Sequence, residues 1–94
     1  DLSVDVLSKT VIRANRKIAL SAKEFAVLEV LIRNKNIVMS REQIEDRITA
    51  LDKESNSNVI DVYIRYLRKK IDEDHPVKLI HTVRGSGYVL KDES

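Results

Sequence analysis

Apolar and polar residues alternate over Leu2-Ser3-Val4-Asp5-Val6, the period of a strand with one buried face. Thr10-Val11-Ile12 and Lys17-Ile18-Ala19-Leu20 are two further short β-prone stretches. Ala14-Asn15-Arg16 between them suits a turn, since asparagine tolerates left-handed backbone angles. Residues 2–20 therefore read as an antiparallel meander. The period then changes. Ser21 and Glu24 have the spacing of a capping box, in which each side chain satisfies an orphan backbone N–H, and Leu20 and Phe25 stand where a hydrophobic staple belongs. The helix they open is predicted to run to about Asn34. Phe25, Leu28 and Ile32 share one face, and Val27, Val30 and Leu31 spread beyond it. So wide an apolar arc predicts cover on more than one side, strands on one and later helices on another.

Ser40 and Gln43 repeat the punctuation, with Met39 and Ile44 as the staple pair. This second helix reads to about Thr49. Only Ile44, Ile48 and Leu51 beneath its end are apolar, so it is a surface helix with a narrow buried stripe. Asp52 to Asn58 is polar and reads as a loop ending in a cap, with Ser55, Ser57 and Asn58 all candidates for the capping residue. A third helix spans about Val59 to Asp72 and is ended by Asp72-Glu73-Asp74-His75-Pro76, because the residue before proline is pushed out of helical angles. Leu79 to Arg84 and Tyr88 to Leu90 are strand-like around an Arg84-Gly85-Ser86-Gly87 turn. The fold class is α+β. Three strands, three helices and a terminal hairpin outline a winged helix-turn-helix, in which the hairpin adds a second contact beside the third helix.

The chemistry concentrates on that third helix. At 100° per residue Ile60, Ile64, Leu67 and Ile71 form a narrow core stripe. Asn58, Val62, Arg65, Tyr66 and Lys69 lie opposite, with Arg68 and Lys70 on the flanks. A solvated helix face accounts for the charges equally well. Val62 tilts the balance, because a valine opposite the buried stripe has no folding role and suits a thymine methyl in the major groove, but single exposed apolar residues are common, so it is supporting evidence only. On the hairpin, Thr82 and Arg84 share a strand face, and Gly85 and Gly87 permit backbone angles that other residues avoid. An arginine at the tip of a tight turn suits a narrow groove or a phosphate, and equally an ordinary solvent-facing turn.

Composition narrows the classes. The chain has 94 residues, enough for one domain over residues 1–94. Its net charge of +2 is too small to announce a nucleic-acid ligand by itself, so the distribution of charge carries the argument. The absence of cysteine excludes disulfides and thiolate catalysis. No apolar run approaches the ~20 residues of a membrane span, no signal peptide is visible, and the chain begins at Asp1, as a piece cut from a longer protein would. Asp72-Glu73-Asp74-His75 reads as a solvated charge run rather than a metal site, and His81 as a packed or half-exposed imidazole. Gly85-Ser86-Gly87 is too short for a phosphate-binding loop. No active site, cofactor or metal is expected.

Four stretches carry a resemblance. They are Ile18 to Phe25, Val38 to Gln43, Ser57 to Ile71 and Ile80 to Tyr88, and together they resemble the effector domain of OmpR/PhoB-class bacterial response regulators. The resemblance implies double-stranded promoter DNA as ligand, regulation of transcription in the cytoplasm, and binding as a dimer, often head-to-tail. It implies a receiver domain, absent here, under a sensor histidine kinase. It implies that Val62, Tyr63, Arg65 and Tyr66 face the major groove, that Arg68, Thr82 and Arg84 meet the DNA backbone beside Gly85, and that the 50–56 loop meets RNA polymerase. Two departures stand out. Tyr66 occupies a position where the family often has arginine, so its base preference does not carry over. Thr49-Ala50-Leu51 replaces the usual aromatic and glycine, so neither does the loop shape. The alternative function is a winged helix used as a protein-interaction module.

Overall fold

The computed structural model describes residues 2–49 and 57–91. Strands β1 (Leu2–Asp5), β2 (Thr10–Arg13) and β3 (Arg16–Ile18) form an antiparallel sheet in that order, with Val4 opposite Val11 and Val11 opposite Ile18. Ala14 and Asn15 make the β2–β3 turn with φ of 53° and 67°. Positive φ at both central residues is the two-residue hairpin geometry that matches strand twist. The tight turn draws Arg16 into β3, which ends at Ile18 instead of continuing to Leu20, and Val6 lies in the β1–β2 turn.

Helices α1 (Ala22–Arg33) and α2 (Arg41–Thr49) begin where their caps predict. The Ser21 hydroxyl accepts from the Glu24 N–H at 3.2 Å, and Glu24 accepts from the Ser21 N–H at 2.9 Å. Ser40 and Gln43 repeat the exchange at 3.0 and 2.9 Å. Phe25, Val27, Leu28, Val30 and Leu31 are all buried, so α1 is covered on several sides. It is the centre of the core, with Val11 of the sheet, Ile44 and Ile48 of α2, and the strands of the hairpin packed in the same cluster.

Helix α3 (Ser57–Leu67) starts two residues before the expected Val59 and continues as a π-helical turn, Arg68–Asp72. Its sequence is rich in β-branched and aromatic residues, which cost up to about 0.7 kcal/mol each in a helix. Ile60, Ile64, Leu67 and Ile71 are at most 1% exposed. Burying each contributes about 1.5–3 kcal/mol, so packing outweighs propensity. The hairpin is β4 (Ile80–Val83) and β5 (Gly87–Leu90), with Thr82 opposite Tyr88. On its other side β5 pairs with Met39 through two backbone bonds of 2.7 and 2.8 Å, and the Leu90 carbonyl accepts from Asn36 at 2.9 Å. The wing is thereby seated on the α1–α2 connection.

The structure corrects the reading of the charge run after α3. Asp72 is 3% exposed, and so is no solvated surface group. Along β2 the core-facing positions are Val11 and Arg13, and the Arg13 guanidinium donates to Asp72 at 2.8 Å, to the Ile71 carbonyl at 2.6 Å and to the Val77 carbonyl. Asp72 also accepts from the Leu79 and Ile80 N–H groups at 3.1 and 3.0 Å. One buried ion pair therefore joins the sheet, the end of α3 and the start of the wing. Lys78 closes the helix end by donating to the Asp72 and His75 carbonyls at 2.7 and 2.8 Å.

Candidate nucleic-acid interface

Helix α3 and the wing present one continuous surface. Arg65, Tyr66 and Lys69 are exposed on α3, and Thr82, Arg84, Gly85 and Ser86 are exposed on the wing. Val62, expected to stand clear of the fold, is half-buried. Tyr63 is half-buried and packs against the core cluster, so much of its ring is committed to folding. The Asn58 side chain and the 50–56 loop lie outside the described residues.

Arg68 bridges the two elements. Its Nε donates to the Ile80 carbonyl at 3.3 Å, its Nη2 donates to the Thr82 hydroxyl, and its Cζ lies 5.7 Å from the centre of the Tyr88 ring. A guanidinium over an aromatic face is attracted by the ring quadrupole. Because the Thr82 oxygen accepts from Arg68, the Thr82 proton is left to donate elsewhere. Lys70, on the flank of the same helix, is drawn away and pairs with Glu24 at 2.7 Å. Burial pushes the Glu24 carboxyl up, but the hydrogen bonds and charge of Lys70 and the Ser21 N–H outweigh it, and its pKa falls below the usual carboxylate value.

A second set of residues was not foreseen from sequence. Asp61 accepts on Oδ2 from Arg41 at 2.9 Å and on Oδ1 from the Tyr88 hydroxyl. Burial, then the Asp61 bond and charge, raise the Tyr88 pKa, so the phenol stays protonated. These residues line a polar cleft of about 300 Å³ between α3 and the wing, with Thr82, Gly85 and Gly87 on the wing side. Arg41 and Tyr88 stand 20 and 27 residues from Asp61 in sequence, so no local spacing announces them. Gly85 and Gly87 have φ of 76° and 145°. A Cβ at Gly87 would fall on the Met39 carbonyl and lie 2.7 Å from the Ser40 Cα, whereas one at Gly85 meets nothing.

Among the described residues no group of acidic, histidine or cysteine side chains is placed to hold a metal. No described helix is long and apolar enough to cross a membrane. The arrangement is a polar, cationic relief of helix and hairpin.

Known proteins share the fold. The family described as "Transcriptional regulatory protein, C terminal" matches residues 15–90. The transcriptional regulatory protein PcoR of Escherichia coli is 47% identical over 97% of this chain and 40% of its own length. The response regulator DrrB of Thermotoga maritima, an OmpR/PhoB homologue, superposes with a TM-score of 0.81 at 32% identity over 97% of this chain and 42% of DrrB. The DNA-binding domain of Klebsiella pneumoniae RstA, solved with the RstA box, superposes with a TM-score of 0.80 at 27% identity, covering 96% of this chain and 90% of that one. The chain thus spans about two fifths of the length of full-length relatives such as PcoR and DrrB. From residue 15 to residue 90 and in the course of every described element, this chain belongs to the C-terminal, winged-helix effector domains of OmpR/PhoB-type transcriptional response regulators.

Proposed function

We propose that the domain binds double-stranded promoter DNA in a sequence-specific manner and is the output module of a two-component response regulator. The observation that carries this reading is the single surface formed by Arg65, Tyr66 and Lys69 of α3 with Thr82 and Arg84 of the wing, bridged by Arg68. In this reading α3 lies in the major groove, where Tyr66 and the exposed part of Val62 reach base edges and methyl groups. Thr82 donates its remaining proton to a phosphate oxygen, and Arg84, held at the tip by the positive φ of Gly85, meets the backbone or the adjacent minor groove. The RstA DNA-binding domain, solved in complex with the RstA box, supports DNA as the ligand by analogy of fold.

The wider assembly belongs to the same proposal: an N-terminal receiver domain under a sensor histidine kinase, dimers on DNA, RNA polymerase met through residues 50–56, a cytoplasmic setting and no catalysis of its own. Titration of this chain against duplex DNA at several salt concentrations tests the core of it. Log affinity should fall linearly with log salt, by about 0.9 per neutralised phosphate. Salt-independent association, or no association with duplex DNA, overturns the reading and favours a protein-docking module.

A further inference from the structure

The DNA-facing surface contains an anion, which a phosphate-binding face would be expected to avoid. Asp61 has 41% of its side chain exposed and sits on α3 at the wall of the cleft facing the wing. Both of its oxygens are engaged, one with Arg41 at the start of α2 and one with Tyr88 of β5. Asp61 and Arg68 are seven residues apart, two turns along one stripe of the helix. Both reach the wing and both meet Tyr88, Asp61 at the hydroxyl and Arg68 at the ring face. Arg68 continues to Ile80 and Thr82. Tyr88 is in turn the residue whose backbone pairs with Met39. Beyond the Asp72 anchor at its base, side chains of the helix therefore hold the wing at two points, and one tyrosine is common to both.

We propose that Asp61 is a positioning residue that sets the angle of the wing against α3, and so the register between base contacts in the groove and the contacts of Thr82 and Arg84 outside it. This rests on the DNA-binding reading above. Two attachments two turns apart resist rotation about either one. With Asp61 removed, Arg68 is the remaining side-chain tie from the helix to the outer part of the wing, beyond Asp72 at the base and the Met39 pairing on β5, and the reach of the wing arginine from the helix is less closely fixed. Arg41 neutralises the carboxylate, which lets an anion stand on a surface that must approach phosphate. A direct role for Asp61, accepting from a cytosine amine, competes with this. It is disfavoured because Tyr88 and Arg41 already occupy the two oxygens.

The test is a double-mutant cycle on DNA, with a parallel measurement on the protein alone. Asp61→Ala and Tyr88→Phe are each combined with Arg84→Ala, and affinities for the cognate site and for random duplex are measured. Tyr88→Phe keeps the ring under Arg68 and removes only the hydroxyl, so it serves if Asp61→Ala folds poorly. Positioning predicts that either substitution shrinks the loss caused by Arg84→Ala by about threefold or more, the size expected of coupled neighbours. It also predicts faster amide exchange through residues 84–88 in the unliganded protein. An unchanged Arg84→Ala loss in both backgrounds overturns the proposal. So does a change in preference confined to one base pair, which would make Asp61 a reader of cytosine, or a uniform rise in affinity, which would make it only a misplaced charge. If the parent chain itself shows no salt-dependent duplex binding, the DNA-binding reading has failed, and the exchange measurement still decides whether Asp61 holds the wing.

Discussion

Gly85 and Gly87 are two residues apart in one turn, yet they answer to different constraints. Gly85 has open space around it and needs glycine only for its φ of 76°. Gly87 has an unfavourable φ and also touches the Met39 backbone where a Cβ would stand. Gly85→Ala should therefore cost on the order of 1–2 kcal/mol, the left-handed penalty alone. Gly87→Val should exceed the ~1–3 kcal/mol of backbone strain, because the Met39 pairing must also open. Denaturant melts of the two variants check the order; equal costs would mean that the wing reseats easily. Tyr66 and Val62 separate in the same way. Tyr66 is 45% exposed, so Tyr66→Ala should leave the melting point unchanged and reduce discrimination between cognate and random DNA by roughly 1–3 kcal/mol per lost base contact. Val62→Ala should add a small stability loss, because that side chain is half-buried.

Among the elements, the ion pairs decide what holds what. Arg13 and Asp72 are 1% and 3% exposed, so removing one partner strands a buried charge. Arg13→Met should cost about 3–5 kcal/mol, and the double replacement by apolar residues should cost less than the sum of the singles. The Glu24–Lys70 pair gives a pH signature. The Glu24 pKa is lowered by folding, so its contribution is present above the unfolded carboxylate pKa and is lost as pH falls through the folded value. Glu24→Gln should flatten that acid limb in thermal melts at successive pH. Tyr88 acts at the opposite end. Its pKa is raised, so its contribution is complete below the unfolded phenol value and is lost as pH rises through the folded one; Tyr88→Phe should remove that alkaline loss. These elements also show what sequence could reveal. Both capping boxes and the Ile60–Ile71 stripe are local patterns, and the helices follow them. The Arg13–Asp72 pair spans 59 residues, and nothing in either neighbourhood distinguishes that aspartate from the acidic run that follows it. The π turn was invisible for a similar reason. Its bond from the Glu73 N–H to the Arg68 carbonyl encloses Asp72, whose Arg13 partner lies far off in sequence.

For the whole molecule, a net charge of +2 says little, and the placement of charge says more. Lys70 is turned toward α1 and Lys78 toward the helix end, which leaves Arg65, Lys69 and Arg84 as the exposed cations of the helix-and-wing surface among those expected to meet DNA. Arg84→Ala should lower the salt slope of duplex binding by roughly one unit while leaving stability unchanged. Arg68→Ala should weaken binding further and also lower the melting point, because it supports Thr82 and Tyr88 as well as adding charge to the proposed DNA face. A matching slope change for both with no stability difference would show that Arg68 acts only as a charge. The seating of the wing has one more consequence. A two-stranded hairpin is marginal alone, and its outer strands offer unpaired backbone on which another chain can add. Here Met39 covers β5 at Tyr88, while Asp72 and Arg68 take up the N–H and carbonyl of Ile80 on β4. The bonds that aim the wing also occupy outer backbone groups on both of its strands, which leaves less of a projecting β-ribbon open as a template for aggregation.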